Sequence, residues 1–327
     1  MKKLIFIISV FLTTSCSCQN FFMTHTHGHF SIDTTVNTDA FITEWNMPSG
    51  DFTLPLRSGY TYNMTVDWGD GSALSTVTAY DDVDATHSYS AGTYQITILG
   101  TCATIYINNG SVKTYLTKVI QWGNVNFDNF NNSFYGASNL TYLPFGAITG
   151  VSGVGSLNGA FENCSGLTSL PSGMFDNFSS SLGLLSLFQG CSGLTSIPSG
   201  LLDVFTGTIN FTSVFYGCSS LTSIPSGLFD YNTSVTNFIN TFRGCNSLSE
   251  IPANLFDNND AVTSFQNCFY GCTSLTGSSG ELWLNPSGAG NYTLSAPDYD
   301  TGVPNGQDCY RDCTGLSDYA SIPTYWK

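Results

Sequence analysis

The chain has 327 residues, only 9% of them charged, and 23 acidic against 8 basic side chains give a formal net charge of −15. Eight scattered Lys and Arg residues cannot form the clustered basic footprint that a nucleic-acid backbone needs, so nucleic acid is not expected as a partner. Aromatic residues make up 14% of the chain, a composition that folds and does not stay disordered.

Residues 1–15 read as a secretory signal: Lys2 and Lys3, an apolar run through Leu12, then small residues. The run is too short to span a bilayer, and no later stretch reaches the roughly 18 apolar residues of a membrane helix. Thr13-Thr-Ser-Cys16 resembles the lipobox of bacterial lipoproteins. That resemblance implies Cys16 as a lipidated residue, with Cys18 as a second candidate, and an exported protein anchored at the outer membrane or cell surface. An ordinary cleaved signal without lipid is the alternative. Residues 16–40 read as a polar tether holding His25, His27 and His29. Alternating histidines can hold a metal, but in a mobile tail they lack the supporting contacts that orient ligands, so no metal is expected.

Residues 41–100 change to short β-type runs separated by turn residues. Strands are expected at Phe52–Leu56, Tyr60–Trp68, Thr86–Tyr89 and Gly92–Ile98, with a tight turn at Gly69-Asp-Gly71. Val66-Asp-Trp-Gly-Asp-Gly71, His87-x-Tyr89 and Ala91-Gly-Thr-Tyr94 together resemble the PKD domain, which implies a small immunoglobulin-like β-sandwich serving as spacer or accessory module. Asp67 and Asp70 are expected to shape the turn, since two carboxylates fall short of the six to eight oxygens of a calcium site. Trp68 is expected inside. Residues 101–126, with strands at Ala103–Ile107 and Lys118–Trp122, read as an N-terminal cap on a repeat array.

Residues 127–276 are that array and repeat one phrase. Cys164, Cys191, Cys218, Cys245 and Cys272 are spaced by 27 residues, and Ala137 stands one period upstream. Such a period marks a repeat architecture. Counting from the Cys position, the third residue back is Phe134, Phe161, Phe188, Phe215, Phe242 or Phe269. Apolar residues seven and three back share a helix face, and Gly or Asn one back suits a left-handed helix cap. Leu-Thr-Ser-Ile after the Cys reads as a short strand that Pro ends. In-phase cysteines are expected as small buried core residues; a disulfide among Cys268, Cys309 and Cys313 stays open. Phe-x-Gly-Cys-Ser-x-Leu-Thr-Ser-Ile-Pro resembles the BspA-like leucine-rich repeat of bacterial surface proteins. The expected fold is therefore a leucine-rich-repeat solenoid of short parallel strands and short helices, preceded by the β-sandwich. Residues 277–327 read as an insertion and a C-terminal cap repeat.

No phosphate loop, His-Glu-x-x-His or Gly-x-Ser-x-Gly motif occurs, and Asp176, Asp203, Asp230 and Asp257 recur as rungs and not as a catalytic pair. No enzymatic activity and no cofactor are expected. The resemblances imply a surface adhesion protein that binds extracellular protein or glycan ligands, with polysaccharide capture for nutrient uptake as the alternative. Candidate contact residues are Thr168, Ser169, Thr195, Ser196, Thr222 and Ser223, which lie between the core positions.

Overall fold

The structure, a computed structural model, describes residues 22–26, 29–33, 37–108, 110–151, 153–180, 182–280, 282 and 304–327. The signal stretch with Cys16 and Cys18, His27, and residues 283–303 of the expected insertion lie outside the described residues. The chain divides into two compact units, Met1–Thr38 and Asp39–Lys327. In the first, β1 (Phe22–Thr26) and β2 (His29–Asp33) pair antiparallel, so part of the expected tether is a hairpin.

The second unit begins with β3 (Phe41–Met47), β4 (Gly50–Thr53), β5 (Tyr62–Asp67), β6 (Ser75–Val77), β7 (Thr86–Tyr89), β8 (Gly92–Cys102) and β9 (Leu116–Gln121). Five of them form one sheet in the order β6-β5-β8-β3-β9, and β4 pairs with β7. Every pairing is antiparallel. Alternation explains the burial: Tyr62, Met64 and Val66 on β5 face the core while Asn63 is exposed. Trp68 is buried as expected. The Gly69-Asp-Gly71 turn has φ of +79° and +84° at its glycines, a conformation that costs a side-chain-bearing residue a Cβ clash. The expected strand at Ala103–Ile107 does not form; the segment is buried and irregular. β9 leaves the expected cap to join β3, so cap and module share a sheet.

The expected fold class is corrected by the secondary structure. Among the described residues all regular strands lie in antiparallel sheets, no α-helix occurs, and the helical content is four short 3-10 segments. The repeats contain neither the parallel strands nor the helices of the expected solenoid. Two local features explain this. The fifth residue before the Cys position takes a left-handed conformation, at Asn132, Gly159, Ser186, Ser213, Asn240 and Asn267, with φ between +54° and +61°. It sits between the two apolar residues expected to share a helix face, and an α-helix cannot continue through it. On the other side, the Leu N–H turns back onto the Cys carbonyl (Leu194 to Cys191, 3.0 Å) and Pro follows Ile, so the strand shrinks to isolated contacts.

Each 27-residue unit is instead a series of turns hydrogen-bonded to the unit beside it. Single parallel bridges link Asn210 to Asn237 and Asn237 to Ser264, and Phe188 N–H donates to the Val214 carbonyl at 2.9 Å. Side chains at equivalent positions form columns. The Phe134, Phe161, Phe188, Phe215, Phe242 and Phe269 rings stack with centroids 5.2, 5.6, 5.8, 5.6 and 5.5 Å apart, and Tyr310 continues the stack at 5.9 Å. In the adjoining column the thiols of Cys164, Cys191, Cys218, Cys245 and Cys272 each donate to a Phe carbonyl 30 residues earlier, at 3.1–3.3 Å. A small apolar side chain with one weak donor suits that place. Trp122 closes one end over Phe130 and Phe134. Trp326 closes the other, buried against Phe265 and Tyr310.

The nine described cysteines are all free and buried, so Cys268, Cys309 and Cys313 form no disulfide. Burial raises their thiols, to about 12 at Cys102, Cys191 and Cys313. Because thiolate is the reactive form, native protein at pH 8 should leave these nine unmodified by iodoacetamide, and denaturant should expose them together. Peptide mapping by mass spectrometry checks this; rapid labelling of Cys218 in native protein would contradict the buried column.

Candidate functional site

The six sequence-derived candidates, Thr168, Ser169, Thr195, Ser196, Thr222 and Ser223, are all exposed and form two adjacent columns. Buried Leu167, Leu194 and Leu221 precede them, and Leu170, Ile197 and Ile224 follow, so core residues on both sides hold the face in place. Along the Thr column, backbone and side chain act together. Thr195 donates its N–H (3.1 Å) and hydroxyl (3.0 Å) to the Thr168 carbonyl, and Thr222 does the same to Thr195 at 3.1 Å for both. Ser249 and Thr276 continue the pattern downstream, and Thr141 joins it to Thr117 on β9. The hydroxyls of Thr195 and Thr222 therefore tie neighbouring units. Those of Ser169, Ser196 and Ser223 make no hydrogen bond among the described residues and stand free for solvent or a ligand.

Two further residues lie on this face that sequence reasoning missed. Tyr142 starts the Ser column and is 40% exposed; Phe145, three residues on, is 85% exposed. The signal was available, since their counterparts in the next three units are serines and a large aromatic there has no core to fill. At the far end of the face Ser226, Glu250, Pro252, Ala253 and Ser278 line an open groove of about 760 Å³. Glu250 is the one charge in these columns, so the face is polar and nearly uncharged. It offers hydroxyl groups, carbonyl edges and an aromatic surface, and it holds no acid–base pair.

The sheet module contains one titratable pair. Asp70 accepts from the Ser72 N–H (3.0 Å) and lies 2.7 Å from His87 Nε2, while the Trp68 ring stacks on His87 at 5.0 Å. Hydrogen bonding from Ser72, and then from His87, holds the Asp70 carboxyl well below its ordinary value. Asp67 accepts from the Gly69 N–H at 2.9 Å, so both carboxylates shape the turn. Tyr89 donates its hydroxyl to the Trp68 carbonyl and completes the packing. Among the described residues no three His, Cys, Asp or Glu side chains converge on a point where a metal could sit, and no helix is long and apolar enough to cross a membrane.

No family model matches the chain, and no curated protein matches it. Among solved structures, a crystal structure of a leucine-rich repeat protein from Bacteroides ovatus aligns over 68% of this chain and 82% of that chain, at 12% identity and a TM-score of 0.16. It agrees loosely with the resemblance of the repeated phrase; at that TM-score it carries no argument about this chain's fold or function.

Proposed function

We propose that this is an exported, lipid-anchored surface protein that binds an extended extracellular ligand and does no chemistry on it. The observation that carries the reading is the hydroxyl face: exposed, almost uncharged, and held rigid by unit-to-unit hydrogen bonds. A face preorganised in this way loses little side-chain entropy on binding. The repeated phrase and the Val66–Gly71 motif support kinship with BspA-like surface lipoproteins that carry a PKD-like module, and such kinship favours adhesion to host proteins, cells or glycans. Polysaccharide capture is the second reading, favoured by exposed Tyr142 and Phe145, because aromatic faces pack on sugar C–H groups. The full-length chain applied to an array of matrix proteins and glycans should give hits above those of an unrelated repeat protein. Loss of glycan hits in Phe145→Ser would select capture; a blank array would sink both readings. The anchor is checked by Cys16→Ala, which should move the protein out of the membrane fraction; a variant still found there would refute lipidation at Cys16.

A further inference from the structure

A different column of the repeats carries a second surface. Two residues before the Cys position stand Tyr216, Arg243 and Tyr270, and Arg311 occupies the same place in the last unit. The Arg243 guanidinium lies 5.7 Å from the Tyr216 ring centroid and 4.5 Å from that of Tyr270, and Arg311 lies 5.5 Å from the same Tyr270 centroid. Two of the chain's three arginines are thus placed alternately with tyrosines in one ladder. Such stacking uses the flat faces of each group and leaves the guanidinium N–H edges and the tyrosine hydroxyls available for other partners; Tyr216, Arg243 and Tyr270 are half-buried and Arg311 is exposed.

The charge placement is unusual for this chain. With 23 acidic side chains available, no carboxylate comes within ion-pair distance of Arg243 among the described residues. The one hydrogen bond of its guanidinium among the described residues is a long 3.4 Å contact to Asn240 Oδ1. Arg311 is more exposed and touches Asp308 at 3.7 Å, the length of a weak surface pair. The hydroxyls of Tyr216 and Tyr270 have no partner among the described residues. A half-buried guanidinium stacked between two rings, with one long hydrogen bond and no carboxylate partner among the described residues, is prepared for an outside carboxylate, which it can grip through two parallel N–H bonds.

We propose that this ladder binds a linear glycan carrying a carboxylate on every second sugar. The spacing selects the class. The buried ring stack one position along, Phe242–Phe269–Tyr310, sets the unit spacing at this end at 5.5 and 5.9 Å, and the guanidinium groups stand in every second unit of the ladder. A chain of linked pyranoses advances by about one rung per sugar and meets the arginines with alternate units and the tyrosine hydroxyls with those between. An extended peptide presents same-side residues about every 6.6 Å and falls out of step within a few rungs. The overall charge of −15 repels polyanions at long range, but at about 0.15 M salt that field decays within roughly 8 Å and the local ladder decides.

The test titrates the full-length chain calorimetrically with a hyaluronan oligosaccharide, whose glucuronate alternates with a neutral sugar, and with a neutral chitin oligosaccharide of equal length. Hyaluronan should bind and the neutral oligosaccharide should not. Arg243→Gln, and separately the exposed Arg311→Gln, should each weaken binding by about tenfold or more, the effect of losing one charge-assisted contact. No hyaluronan binding, equal binding of the neutral chain, or unchanged affinity in both variants would overturn the assignment. Tighter binding of dextran sulfate would reassign the ladder to sulfate groups, and tighter binding of polyglutamate to an acidic protein; either result would refute the proposal. The ladder and the hydroxyl face are separate columns, so failure here leaves the array result unaffected.

Discussion

Phe215→Ala is expected to lower the unfolding free energy by about 3–5 kcal/mol, the cost of emptying a large buried aromatic site. Phe215 is fully buried and stacks at 5.8 Å on Phe188 and 5.6 Å on Phe242, with rings within 9° of parallel. Its removal deletes two stacking contacts as well as the buried area, and neighbouring rungs cannot close in because each is hydrogen-bonded to the next unit. In stacked repeats a middle rung also couples the two halves, so the transition should broaden as well as shift. Urea unfolding followed by circular dichroism measures both effects. Tyr231→Ser, at a site 60% exposed, serves as the control and should change stability by less than about 0.5 kcal/mol. A loss below about 1 kcal/mol for Phe215→Ala would mean that the stack is not the source of cohesion.

Gly69→Ala should destabilise the sheet module by roughly 2–5 kcal/mol, combining backbone strain with steric overlap. Gly69 has φ of +79°, and a Cβ there would overlap the Gln95 backbone carbonyl on β8. That carbonyl belongs to a central strand and cannot yield without disturbing the β3–β8 pairing. Gly71 provides an internal comparison. Its φ is +84°, but a Cβ at this position meets nothing within 4 Å, so Gly71→Ala carries only the conformational cost of about 1 kcal/mol. Thermal unfolding read through the buried Trp68 compares the two variants. Equal losses would show that close approach to β8 plays no part.

The two variants also mark how far the chain could be read before its structure. The 27-residue columns were legible, because a residue type repeated at fixed spacing must occupy one environment. Phe three positions before each Cys, the Cys itself and Leu three on are buried in register. The Gly69–Gly71 turn and buried Trp68 were legible for local reasons: glycine tolerates positive φ, and a large ring needs a core. The helix and strand assignments inside the repeat failed. Apolar spacing of four residues suggested a helix face, but Asn240 and its counterparts adopt left-handed backbone between those residues; Asn and Gly tolerate that conformation, but Ser186 and Ser213 at the same place give no such signal, and the apolar spacing outweighed it.

The functional surface divides in the same way. Exposure of Thr168, Ser169, Thr195, Ser196, Thr222 and Ser223 followed from their place between core positions. That Thr195 and Thr222 spend their hydroxyls on the preceding unit's carbonyl depends on how two units face each other. The Tyr216–Arg243–Tyr270–Arg311 ladder was harder still to see. Its four residues differ in type, and Arg311 stands after an interruption of the period, 68 positions beyond Arg243. Sequence by itself determined the period, the core columns and the turn glycines, because each depends on a side chain's own size or backbone freedom. Tertiary structure alone decided that the repeats close as turns, that β9 joins the module's sheet, and that two distant arginines share one face. Those outcomes depend on hydrogen bonds and stacking between segments, and no single segment contains them.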